Sequence, residues 1–257
     1  MQTQEWGKYF DGPPKSYWLE SVKVPDYARL NDDLDVDAVI VGGGITGITT
    51  AFLLKRSGLK VAVLEATKIL HGATGHTTAK ITAQHDIAYS TIIKKMDMES
   101  AQQYAMANQA AIKTIESIIS RFNIQCDFSW QPAYVYTQDE NYIQKIQDET
   151  EAAFNLGFAA TYLDEIPLPF KVKAALRFDN QAQFHPLKYL LALADMIHGD
   201  GSFIFENTRA IDIHTETKYS ISTDTGFRVN APNVIIATHY PFYDGNGMYF
   251  ARIFPER

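Results

Sequence analysis

Three glycines and one carboxylate carry the most specific chemistry in this sequence. Gly42, Gly44 and Gly47 stand as G-x-G-x-x-G within "VIVGGGITG", and Glu65 closes the next apolar run. The first glycine permits a tight turn, the second lets backbone approach a pyrophosphate, and the third lets a helix pack closely on a strand. Ile45 and Thr46 then open a helix whose N-terminal N–H groups and partial positive charge suit phosphate oxygens. Glu65, followed by Ala66, can accept hydrogen bonds from two ribose hydroxyls and repels a 2′-phosphate. The glycine spacing alone is a weak signal. With a strand before it, a helix after it and the acid at the end of the next strand, it predicts a dinucleotide site. A glycine turn serving only to pack elements together has no need of the acid.

The elements that must position these residues are readable in the flanking pattern. Residues 36–41 form a mostly apolar run that reads as a buried strand, and residues 60–64 form another. Between them Ile45, Ile48, Ala51 and Phe52 share one face at helical spacing. Lys55 and Arg56 suit a last turn, and Gly58 suits the position past it. This is a β-α-β unit, the crossover that a parallel pair requires. A second glycine loop, "HGATGHTTAKITAQH" (71–85), leads to a long helical stripe from Ala101 to Phe122, interrupted only by Asn108. Strand and turn are expected at 128–138, a helix at 142–156 and a strand at 172–178. Pro186 should open a helix ending before Gly199. Short strands are expected at 203–205, 210–214, 219–222, 227–229 and 234–237. The architecture implied is an α/β domain interrupted by an α+β insertion, after which the chain returns to the first domain. Residues 1–35 read as an extension packed on by Trp6, Tyr17, Trp18 and Leu19.

Composition narrows the function classes. With 46% hydrophobic and 21% charged residues, the 257-residue chain is an ordinary globular one. Its formal charge of −7, with no Lys/Arg block, argues against nucleic-acid binding. Cys126 is the only cysteine, so there is no internal disulfide framework and no multi-cysteine metal site. No apolar run approaches the ~20 residues of a membrane span. The N-terminus lacks a signal-peptide pattern, and a cytoplasmic location is expected.

The second glycine loop bears on which dinucleotide binds. A plain NAD dehydrogenase continues with regular β-α-β repeats, whereas here "GATGHTT" follows Glu65 closely. Its glycines, threonines and N–H groups suit a longer, FAD-type ligand; read more plainly, it is a connector that caps the helix after it. The sequence resembles the FAD-dependent oxidoreductases of the D-amino-acid oxidase and glycine oxidase family. The resemblance rests on "VIVGGGITGITTAFLLKRSGLKVAVLEA", "GATGHTTAKITAQH", "NQAQFHPLKYLLALA" and "NVIIATHYPF", in that order. It implies a glutathione-reductase-type, Rossmann-like FAD-binding domain at 36–120 and 185–240. Part of an α+β substrate domain would lie at 121–184 and 241–257. It places Thr74, Thr77 and Thr78 near the pyrophosphate and flavin, the backbone of Ala210 at the adenine, and Ala237 and Thr238 at a late strand passing close to the cofactor.

The family's activity is hydride transfer from the α-carbon of a small-molecule amine or amino acid to flavin N5, and it requires no acid-base constellation. No catalytic residue is assigned. The wording "TTAKIT" and "ATHYPF" is nearest a bacterial branch whose full-length members carry a C-terminal Rieske iron–sulfur domain. Against that pattern the chain is expected to be truncated, with the flavin-ring half of the site incomplete and FAD weakly held or absent. Two other readings stay open: an NAD-dependent Rossmann dehydrogenase, and an incomplete flavoprotein acting with a partner chain. His71, His76 and His85 fit no zinc spacing; His76 or His85 could stabilise a reduced flavin or serve as hydrogen-bonded loop residues. His239 could neighbour the cofactor or cap a turn, and Arg177 and Arg209 could meet a substrate carboxylate or form surface ion pairs.

Overall fold

A computed structural model describes residues 15–215, 218–245 and 247–249. Trp6 and residues 251–257, on which some expectations fall, lie outside the described residues. In chain order the elements are α1 (Tyr17–Glu20), β1 (Leu34–Asp35), β2 (Ala38–Val41), α2 (Ile45–Arg56), β3 (Val61–Leu64), a 3-10 turn (Ala73–His76) and β4 (Lys80–Ile81). There follow α3 (Tyr89–Lys95), α4 (Met98–Phe122), β5 (Ser129–Thr137), α5 (Ile143–Asn155), β6 (Ala160–Leu163), β7 (Ala174–Gln183) and α6 (Pro186–Ile197). The chain closes with β8 (Phe203–Phe205), β9 (Ala210–Thr215), β10 (Tyr219–Thr223), β11 (Arg228–Ala231) and β12 (Asn233–Ile236). Contacts divide it into two compact units, Met1–Thr77 with Pro186–Arg257, and Thr78–His185.

The first unit is built on a parallel sheet in the order β12-β2-β3-β8. β2 and β3 are buried at every position, which explains why both read as unbroken apolar runs rather than alternating ones. Register pairs Val41 with Leu64 on one side and with Ile236 on the other, so three strands end level beside the glycine turn. A second sheet, β1-β11-β10-β9, contributes Ile213, Ile221 and Val229 to a core shared with Val39, Val41, Ala62 and Leu64. Ile48, Ala51 and Phe52 form the buried face of α2, but Ile45 is 43% exposed, since it stands at the mouth of the turn.

Helices α2 and α6 pack together. Lys55 Nζ donates to the carbonyls of Ile197 and Gly199, both at 2.9 Å, and pairs with Asp200 at 3.5 Å. The Ile197 carbonyl belongs to the unsatisfied end of α6, where a cation is favoured, and the Gly199 carbonyl also accepts from Ser202 N at 3.0 Å. Lys55→Met keeps the stem but removes the donors, and it should destabilise the chain by about 2 kcal/mol, read as a lowered urea midpoint.

The second unit places three helices on an antiparallel sheet in which β7 is flanked by β5 on one side and by β4 and β6 on the other. Tyr89, Phe158 and Phe178 centre its core, with ring centroids 4.9 and 5.1 Å apart along the chain of contacts. Tyr89 donates its hydroxyl to Ala83 O at 2.6 Å; burial, with Tyr104 and Glu149 adding to it, holds its pKa above the ordinary value. At the start of α4, Asp97 accepts from Ser100 N at 2.6 Å, and this bond lowers its pKa. The stabilisation is therefore complete above the ordinary aspartate value and is lost as pH falls through the depressed one. Asp97→Ala should lower the melting temperature at pH 6, and the difference from the parent should shrink toward pH 3.

The compact units divide the chain differently from the expected domain limits. Ala101, Ala105 and Ile112 of α4 pack with Ile81, Ile146 and Phe178, so residues 78–120 belong to the second unit rather than the first. Phe242 and Tyr243 pack against the first unit's core, so the described residues after 240 do not join the insertion. The segment before residue 36 is not merely an extension, because Leu34 and Asp35 pair in parallel with Val229 and Asn230.

Candidate functional site

The end of β2 determines the site. Gly42 adopts φ +111°, and a Cβ there would lie 2.6 Å from Ala237 O, so the turn passes directly beneath the end of β12. Gly42 N donates to Leu64 O at 2.8 Å and Ala237 N to Val41 O at 2.8 Å, tying both neighbours to the turn. Gly44 is the N-cap of α2 and brings no side-chain cap. The Ile45 N–H instead donates to Thr74 Oγ1 at 3.0 Å, from the second glycine loop. A hydroxyl that accepts there still has its own proton to donate.

Beside this helix start opens a cleft of about 870 Å³, contained in the first unit. Gly42, Gly44, Ile45 and Thr46 line one side, with Thr74 and Thr77 near them. Glu65 and Ala66 line it at the end of β3, Ala210 at the start of β9, and Ala237 and Thr238 past β12. Eleven of the thirteen residues expected at a dinucleotide thus share one cleft. Gly47 does not line it: a Cβ there would sit 1.8 Å from Gly42 O, so its part is to let α2 close on the turn. Thr78 does not line it either, because the chain has already crossed into the second unit.

Glu65 is held on backbone. Oε2 accepts from Gly43 N at 2.8 Å, and Oε1 accepts from Thr67 N at 2.9 Å and Thr67 Oγ1 at 3.3 Å. These bonds fix the carboxylate at the cleft with acceptor capacity remaining on both oxygens. Thr238 Oγ1 is buried at the cleft with no hydrogen-bond partner among the described residues. A buried hydroxyl left unmatched is costly, and a ligand atom would satisfy it.

Sequence reading missed Lys68 and Phe242 as lining residues, and Arg209, expected at a substrate carboxylate or a surface ion pair, lines this cleft as well. Lys68 Nζ lies 3.2 Å from Glu206 Oε2 and also pairs with Asp26, so its charge is largely met from behind the cleft. It therefore offers little to a 2′-phosphate, in keeping with Glu65. The signal for Lys68 was only its closeness to Glu65, since its partners lie far along the chain. Among the histidines, His239 lines the cleft. His71 and His76 bond to the carbonyls of Ile69 and Gly72 within their own loop, at 2.9 and 3.0 Å. His85, in the second unit, meets Tyr104 OH at 2.8 Å. Arg177 is tied to Asp179, its Nε donating at 2.7 Å.

A family described as FAD dependent oxidoreductase (DAO) matches residues 37–247, most of the chain. The chain belongs to this DAO family. Among similar proteins, YhfW of Bacillus subtilis (strain 168), named as a Rieske 2Fe-2S iron-sulfur protein, is 42% identical over 95% of this chain and 48% of its own length. Gamma-glutamylputrescine oxidoreductase of Escherichia coli (strain K12) is 26% identical over 86% of this chain and 53% of its own. The crystal structure of glycine oxidase from Geobacillus kaustophilus superposes with a TM-score of 0.64 at 20% identity, over 80% of this chain and 55% of its own. The fold is that of the FAD-dependent oxidases. The chain spans about half the length of the curated relatives it matches.

The DAO cofactor fits what is present. A glycine cradle that Cβ atoms would close, a carboxylate at the end of β3 and an unmatched threonine hydroxyl meet at one cleft. No helix among the described residues is long and apolar enough to cross a membrane.

Proposed function

We propose that the first unit binds the adenosine and pyrophosphate portion of FAD, and that the protein oxidises a small-molecule amine or amino acid. The observation that carries this reading is the convergence of the glycine turn, the start of α2 and Glu65 on a single cleft. Gly42, Gly44, Ile45 and Thr46 would hold the pyrophosphate, with Thr74 and Thr77 donating from the facing loop. Glu65, beside Ala66, would take the ribose hydroxyls, and the backbone at Ala210 would meet the adenine. Ala237 and Thr238 would guide the ligand past the end of β12.

Bound FAD supplies the hydride acceptor. The chain's own contribution is to bind, orient and exclude water around it. An amine or amino acid as substrate is supported by the names of gamma-glutamylputrescine oxidoreductase and glycine oxidase. The name of YhfW supports a Rieske iron–sulfur domain among the partners, and we place the protein in the cytoplasm.

The test is direct. Purified protein should release FAD on denaturation, or take it up when titrated with it. Glu65→Ala removes the charged acceptor; the loss of one charge-assisted bond of about 1.5–3 kcal/mol would lower FAD affinity about 10- to 150-fold. Protein that takes up no FAD but quenches and protects NADH would overturn the reading in favour of a nicotinamide enzyme.

A further inference from the structure

We infer that the segment from Ser16 to Leu30 is a working part of the cofactor site: it braces, from behind, the two loops that line the cleft. The inference rests on the proposed FAD reading and adds to it a set of positioning residues outside the cleft.

The first loop is the 3-10 turn carrying Thr74 and Thr77. Ser16 Oγ donates to Gly75 O, and Trp18 Nε1 donates to Thr77 O at 2.7 Å. Leu19 packs on Gly75, where an added Cβ would come within 3.1 Å of its methyl groups. Thr74 is buried in this turn, and its hydroxyl receives the first N–H of α2. The position of that hydroxyl therefore depends on contacts made by residues 16, 18 and 19.

The second loop is 66–70. Glu206, fully buried, accepts from Ile69 N at 3.0 Å and from Tyr27 N at 3.2 Å, and it pairs with Lys68 of the cleft. Asp26 reaches Lys68 from the other side. Glu206 N donates back to Ala28 O at 3.3 Å, and Leu30 N donates to Thr208 Oγ1 at 3.1 Å. The same short segment is thus fastened to both loops by hydrogen bonds that few residues separate. Ordering these loops before the ligand arrives reduces what binding must spend on ordering them.

The test compares the full-length chain with Trp18→Phe, which loses the indole N–H but keeps an aromatic ring. Lys15→Ala, on the exposed residue just before this segment, is the control. Two readouts are taken: FAD affinity by flavin fluorescence, and hydrogen exchange of the amides in 72–77, including Gly75 N, which bonds Gly72 O at 3.1 Å. The expected result is about fivefold weaker FAD binding in Trp18→Phe with faster exchange in 72–77, and no change in Lys15→Ala; one hydrogen bond of about 1 kcal/mol gives that ratio. Unchanged exchange overturns the brace. Faster exchange with unchanged FAD affinity also overturns it, because the contact would then be structural only. Faster exchange in a chain that takes up no FAD at all keeps the brace and overturns the flavin reading.

Discussion

Gly47→Ala should yield a chain with no measurable FAD binding and a stability loss of about 4 kcal/mol, at the upper end for a single substitution. The added methyl would stand 1.8 Å from Gly42 O, which is backbone and cannot rotate away. Relief requires either that α2 lift from β2 or that the glycine turn open, and both movements displace Gly44 and Ile45 from the cleft. The control is Gly58→Ala, at φ +89° with nothing within 4 Å of the new Cβ. That change meets only backbone strain, about 1 kcal/mol, and should leave FAD affinity intact. Equal losses in the two variants would show that close packing at Gly47 is not what matters.

Glu206→Ala is the second large effect expected. The carboxylate is wholly buried and satisfies Ile69 N, Tyr27 N and Lys68 together. Truncation leaves two backbone donors unmatched and a half-buried ammonium short of one of its two partners, for a loss of about 3 kcal/mol. Glu206→Gln retains the shape and one acceptor oxygen and should recover part of it. Both are read as midpoint shifts in urea at unchanged m-value, which separates a stability change from a change in compactness. Burial, with Asp195 and Glu206 close by, pushes the Tyr27 hydroxyl up to about 12. It therefore stays protonated across neutral pH and adds no charge to this network.

What the amino-acid sequence disclosed about this site follows the range of the interactions involved. The glycine turn, α2 and Glu65 are local, and each has a residue-type requirement that shows in 24 consecutive positions from 42 to 65. The buried strands β2 and β3 announced themselves by unbroken apolar runs. Helix α3 was missed because its cap is not local: Glu149, from α5, accepts from Tyr89 N and Ser90 N at 2.8 Å each. No signal before residue 89 marks that start. β1 and β4 are two residues long and exist only by virtue of their partners. β6 leaves no strand signal, since its four residues show no clean alternation. Which unit α4 packs into is hidden for a related reason, because an apolar stripe says that a helix is covered but not by which sheet. Lys68 and Arg209 reach the cleft only once the loop at 66–70 and the start of β9 lie side by side, and no spacing in the sequence reports that.

The order of strands in the parallel sheet has a consequence for how the protein comes to exist. β2 sits between β3 and β12, and Ala38 finds its second partner in Asn233. On a ribosome adding 5–20 residues per second, those two residues emerge roughly 10–40 s apart. During that interval Thr78–His185, continuous in sequence, can complete its own contacts. β2 meanwhile exposes an unpaired apolar edge, the kind of surface that aggregates or recruits a chaperone. Nascent chains stalled before residue 233 should therefore bind holdase chaperones, and chains released beyond β12 should not. The glycine turn after β2 is thus made well before β12, the strand that completes its sheet.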